Sequence, residues 1–201
     1  LENNNLTFFY LLLSFVVGFI GFLIIIKFLH NQSLKSVTTS RESTDFKRVF
    51  TAFISISAII LLNLLFSIYL NPEEYVFQFN LNDFVILFLI AIIFIPIQTS
   101  LEEYVFRGYI MQGLGVFVKN RWFPLIFTSL SFGLLHLSNP EIDKIGNIII
   151  IHYIVTGLFL GIITLMDEGM ELALGFHAGN NLLIALLVTA DWTVFQTSSV
   201  F

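Results

Sequence analysis

The stretch LEEYVFRGYIM, Leu101–Met111, decides how the chain is read. Two adjacent carboxylates, Glu102 and Glu103, and one guanidinium, Arg107, stand among Ile, Phe, Leu and Tyr. Upstream, Phe84–Ile97 is apolar except for Pro96, and downstream the run stays largely apolar to Val118. In a bilayer each such charge costs roughly 2.5–3.5 kcal/mol at mid-depth on insertion scales. Three of them within six residues therefore call for a use. On a helix Glu103 and Arg107 are i,i+4 neighbours and can pair, while Glu102 projects about 100° away. This spacing predicts one carboxylate held by Arg107 and the other left for chemistry.

The composition around this stretch excludes a soluble domain. Of 201 residues, 57% are hydrophobic and 11% charged, with 24 Phe, against about 25% charged in an ordinary globular domain. A formal charge of −5 argues against nucleic acid as a partner, because phosphate binding needs concentrated Lys and Arg. The absence of cysteine removes disulfides, thiolate nucleophiles and Cys-based metal sites together. The chain opens on Leu1 rather than Met, so its natural start is expected upstream. Leu6–Leu29 is too long for a signal-peptide core and lacks a basic flank, so it reads as a retained span.

A helix crossing the hydrocarbon needs about 20 mostly apolar residues. The candidate spans are Leu6–Leu29, Val49–Leu70, Phe84–Ile97 (short, stopped near Pro96), Gln98–Val118, Phe123–Leu137, Ile145–Met166 and Leu172–Ala190. The expected fold is all-α: a polytopic membrane bundle of about seven transmembrane helices forming one domain over residues 1–201. Gly18 with Gly21, and Gly157-x-x-x-Gly161, are expected to serve close helix packing. Trp122 and Trp192 flank spans and read as interfacial anchors.

The most basic loop, Asn31–Arg48, belongs inside the cell and puts the amino terminus outside. Strict alternation of seven spans then leaves Lys119 and Arg121 outside, against the same rule. It also separates Glu102 and His136 from the start of the last span, near His177. Either these groups all meet well inside the bilayer, or one segment is re-entrant or broken.

Two further polar pairs stand in apolar context: Phe132 with His136 in FGLLH, and His177 with Asn181 in HAGNN, the latter i,i+4 on one helix face. Singly, each has a plain structural explanation. A membrane His or Asn often makes an interhelical hydrogen bond, and Glu103–Arg107 fits a structural buried pair. Together they make a chemical set. A carboxylate with an imidazole can activate water, and a second His with a carboxamide can donate to an oxyanion. His152 in the sixth span is expected to be structural or cavity-lining, and His30, at a span end, to have no chemical part.

The ordered set E-E-x-x-x-R, F-x-x-x-H and H-x-x-x-N resembles the CPBP family, the CAAX-processing and bacteriocin-processing (Abi, Rce-type) intramembrane endopeptidases. The resemblance covers about Leu101 to Leu183. It implies a multi-span helical protease acting on a membrane-associated or lipidated peptide, and the Phe-, Ile- and Asn-rich composition points to a bacterial plasma membrane. By that similarity Glu102 and His136 would activate the attacking water, His177 and Asn181 would stabilise the oxyanion, and Glu103, Arg107 and Phe132 would support the site. Members are described as metalloproteases or as glutamate proteases. Zinc on Glu102, His136 and His177 is chemically conceivable, but a cofactor-free mechanism is favoured because Asn is an unusual zinc ligand. Other intramembrane proteases lack their signatures here: H-E-x-x-H, G-x-G-D and G-x-S-G are all missing. The alternatives are a non-catalytic protein of the same fold with an immunity or scaffold role, and a proton-coupled transporter. The latter would predict inverted repeats or paired broken helices.

Overall fold

A computed structural model describes residues 4–201. Among the described residues, four helices are long and apolar enough to cross a membrane: α1 (Asn4–Leu29), α2 (Phe46–Leu70), α3 (Leu81–Val118) and α5 (Ile148–Asp167). Two shorter apolar helices, α4 (Trp122–Ser138) and α6 (Glu171–Leu187), complete an all-helical bundle. Many large apolar side chains face outward, among them Phe50, Ile54 and Leu62 on α2. Such a surface belongs against lipid rather than water.

The expected third and fourth spans are a single helix. α3 runs 38 residues without interruption through Pro96. At 1.5 Å per residue it is about 57 Å long, enough to cross a hydrocarbon core of about 30 Å and extend beyond it. Proline removes one backbone hydrogen bond, but membrane helices tolerate the break. Just below it, the Thr99 hydroxyl donates to the Ile95 carbonyl at 3.0 Å. Within α3 the segment Tyr104–Met111 is π-helical, a local widening often found at functional positions.

Merging those two runs also removes the orientation conflict. The loop after α1 is tied to the turn between α5 and α6. Thr39 bridges Gly169, Arg41 pairs with Asp167 at 3.0 Å and Glu171 at 3.3 Å, and Arg48 also pairs with Asp167. On the same end Gln112 of α3 donates to the Val37 carbonyl at 2.9 Å. Lys35, Arg41, Lys47, Arg48, Lys119 and Arg121 therefore share one end, the clustering that the positive-inside rule associates with a cytoplasmic side. The opposite end gathers the start of α1, where Asn5 donates to the Asp83 carbonyl at 2.9 Å, and the carboxy-terminal tail, where Gln78 N–H donates to the Val200 carbonyl at 3.0 Å.

Small residues set the helix contacts. A Cβ on Gly157 would lie 3.1 Å from Ser129 Cα, and one on Gly161 would lie 2.5 Å from a Leu125 methyl, so the expected Gly157–Gly161 face packs α5 on α4. Gly18 meets Leu101, whereas Gly21 faces open space. The tightest approach was not anticipated: a Cβ on Gly175 would stand 2.0 Å from the Val49 carbonyl oxygen, which brings α6 directly onto α2. Two apolar clusters result. Phe8, Leu12, Leu87, Ala91, Ile95, Leu182, Ala185 and Leu186 fill the outer half. Phe22, Ile26, Val37, Tyr104 and Met170 fill the end that carries the basic residues. On both α3 and α6 the polar residues fall between them.

Candidate active site

Gln98, Glu102, Glu103 and Arg107 follow one another down α3, and His177 and Asn181 face them from α6, which packs against it. Glu103 is the hub. It is fully buried, and its Oε1 accepts from Arg107 Nη1 at 2.9 Å and from His177 Nδ1 at 2.7 Å. Arg107 is equally buried and spends Nη2 on the Gly157 carbonyl of α5 at 2.9 Å. Its guanidinium lies 4.8 Å from the centre of the Phe132 ring of α4, a cation–π contact in a dry interior. The lack of a side chain at Gly157 is what lets α4 bring Phe132 this close. One ion pair thus ties together helices α3, α4, α5 and α6.

Glu102 differs from its neighbour in two respects. Its side chain keeps 17% exposure where Glu103 has none. It also accepts from Gln98 Nε2 at 2.6 Å and stands 3.5 Å from His177 Nε2. His177 therefore lies between the two carboxylates, one on each ring nitrogen. Because a carboxylate only accepts, Nδ1 carries the hydrogen toward Glu103. Asn181 donates to Gln98 Oε1 at 3.2 Å and accepts from Asn180 at 3.1 Å. Of the two adjacent asparagines, Asn181 is the one joined to Gln98.

His136 sits at the C-terminal end of α4 and reaches this group through an aromatic ring rather than through a hydrogen bond. Its ring is 4.7 Å from Phe132, which in turn is 6.0 Å from His177. His136 Nδ1 is bonded to the Phe132 carbonyl at 2.7 Å, and the ring stacks on Tyr153 at 4.1 Å. His152 is exposed, with its ring edge-on to Tyr153. His30 shares a 2.7 Å hydrogen bond with the Tyr109 hydroxyl.

Among the described residues there is no group of three or more His, Asp or Glu side chains suited to hold an ion. His177 and His136 each hold Nδ1 to an acceptor, Glu103 and the Phe132 carbonyl, which leaves both Nε2 atoms open for chemistry.

Two features of this layer carry little signal in the sequence. Gln98 stands there only as the start of a span, and its i,i+4 spacing to Glu102 is the one local pointer to it. The Glu103–His177 bond joins residues 74 apart in the chain and has no local signature.

A buried Glu–Arg–His core, with a second and reachable carboxylate beside it, thus lies inside a polytopic helical bundle. A family model for the Type II CAAX prenyl endopeptidase Rce1-like proteins matches residues 81–183, and the chain belongs to that family. It is also similar to a protein of Bacillus subtilis (strain 168) named "Uncharacterized protein YyaK", with 30% identity over 176 residues, 87% of this chain. The chain spans 59% of that relative's length. No solved structure matches the chain.

Proposed function

We propose that the chain is an intramembrane endopeptidase that hydrolyses a peptide bond of a membrane-associated or lipidated substrate, with Glu102 as the base that activates water. The observation that carries this reading is the asymmetry of the two carboxylates. Glu103 is sealed and neutralised by Arg107, while Glu102 stays reachable beside His177 Nε2. A base must touch its water, and only Glu102 can. His136, across Phe132 from His177, is the second group assigned to the water.

As water attacks the carbonyl carbon, negative charge develops on the carbonyl oxygen. His177 Nε2–H and an Asn181 N–H donate to it, and such donors are worth most when fixed in place before the reaction. Donation from both ring nitrogens makes His177 cationic, so Arg107 and His177 together face the two carboxylates Glu103 and Glu102. The proton taken up by Glu102 passes to the departing amine, which closes the cycle.

The family match over the motif region supports the class of chemistry. The test is cleavage, in proteoliposomes, of membrane-anchored peptides that include prenylated carboxy-terminal sequences and leader sequences. Product masses would locate the scissile bond. Failure of the purified, folded protein to cut any of them would favour a non-catalytic scaffold or immunity role.

A further inference from the structure

Four polar side chains form a hydrogen-bond series with a single direction. Asn180 donates to Asn181 at 3.1 Å, Asn181 donates to Gln98 at 3.2 Å, and Gln98 donates to Glu102 at 2.6 Å. The terminal carboxylate can only accept, so Gln98 must turn its NH₂ toward Glu102. Its carbonyl then faces α6 and has to meet a donor, which obliges Asn181 to present NH₂ rather than C=O. Flipping any one of these amides would set donor against donor or acceptor against acceptor. Gln98 is 4% exposed, and a buried carboxamide is tolerated only when both of its ends are bonded.

We propose that Gln98 is a positioning residue for the hydrolysis: it clamps the Glu102 carboxylate of α3 to the Asn181 carboxamide of α6 and sets which way Asn181 points. This inference rests on the peptidase reading above. The base and the oxyanion donor stand on different helices; the Glu103–His177 bond ties those helices together, and Gln98 links Glu102 to Asn181 directly. Gln98 makes the separation a matter of two hydrogen bonds. It also leaves Asn181 a second N–H for the substrate, since its amide donates only one to Gln98.

The test uses Gln98→Met, which keeps the length of the side chain but cannot form either bond. It is expected to lower kcat about 10²-fold, the usual cost of about 1 Å of misplacement, with KM little changed. A Gln98→Met, Asn181→Ala double variant should be about as slow as Asn181→Ala alone, because both changes break one linkage. Gln98→Glu keeps the acceptor for Asn181 but opposes a second carboxylate to Glu102, and should not restore the rate. Full kcat in folded Gln98→Met, or losses that multiply in the double variant, would overturn the proposal.

A second measurement does not depend on cleavage. In protein labelled with ¹⁵N-glutamine, the Gln98 side-chain amide is the signal missing from Gln98→Met. It should move in both Glu102→Gln and Asn181→Ala, and a signal indifferent to either overturns the clamp. A wild-type protein that cuts nothing defeats the peptidase reading, while the amide signal still decides the geometry.

Discussion

His177 donates from Nδ1 to Glu103 Oε1 at 2.7 Å, joining α6 to the same carboxylate oxygen that Arg107 holds at 2.9 Å. The ion pair expected from i,i+4 spacing within α3 is therefore also the anchor of a residue from the last helix. It fixes the orientation of the His177 ring and leaves Nε2 toward Glu102. A pair that looks purely structural from one helix becomes part of the site once the second helix is in place.

Breaking this hub should cost stability before anything else. Arg107→Ala leaves a fully buried carboxylate without its cation, a loss of about 3–5 kcal/mol for pairs of this kind. Glu103→Gln leaves the guanidinium short of a counter-charge and should act in the same direction. Thermal unfolding in detergent is the measurement. A wild-type midpoint in Arg107→Ala would show that the pair carries no such load.

Asn181→Ala should behave differently. It removes a donor expected to act mainly in the transition state, so turnover should fall about 10²–10³-fold while substrate binding changes little. Steady-state kinetics on a cleaved peptide separate the two. A raised KM with unchanged kcat would place Asn181 in ground-state binding instead.

Metal dependence is a separate test of the site. His177 and Asn181, four apart on one helix, suit joint donation to one oxygen, and Asn is an unusual zinc ligand, so cleavage is expected to persist after dialysis against a strong chelator, with zinc substoichiometric. Stoichiometric zinc by elemental analysis, lost together with activity and restored with it, would contradict this.

The single, uninterrupted α3 makes a topological prediction that a cysteine-free chain is well suited to test. Lys35→Cys and Lys119→Cys should react with an impermeant thiol reagent from the cytoplasmic face, and Lys144→Cys from the opposite face. Labelling of Lys35→Cys and Lys119→Cys on opposite faces would restore the extra crossing.

What could be read in advance was whatever depends on near neighbours along a helix. The Glu103–Arg107 pair, the apolar spans and the Gly157–Gly161 packing face all follow from spacings of three or four residues. The continuity of α3 did not, because Pro96 reads locally as a stop and only the surrounding bundle lets the helix run on. With that one break the topology gained a false crossing, and Lys119 and Arg121 fell on the wrong side. The close seat of Gly175 on Val49 and the bond from His177 to Glu103 depend on which helices become neighbours, information that no local window holds. Gln98 lies between these cases: its spacing to Glu102 was visible, but its second partner, Asn181, was not.

The most direct test of the proposed chemistry is the cleavage rate of Glu102→Gln beside wild type in proteoliposomes, with thermal unfolding measured on both. Gln nearly matches Glu in shape and can still contact Gln98, so the variant should fold with an unchanged midpoint. It cannot take a proton from water, and cleavage should be abolished. Full activity in a well-folded Glu102→Gln protein would contradict the assignment of Glu102 as the base.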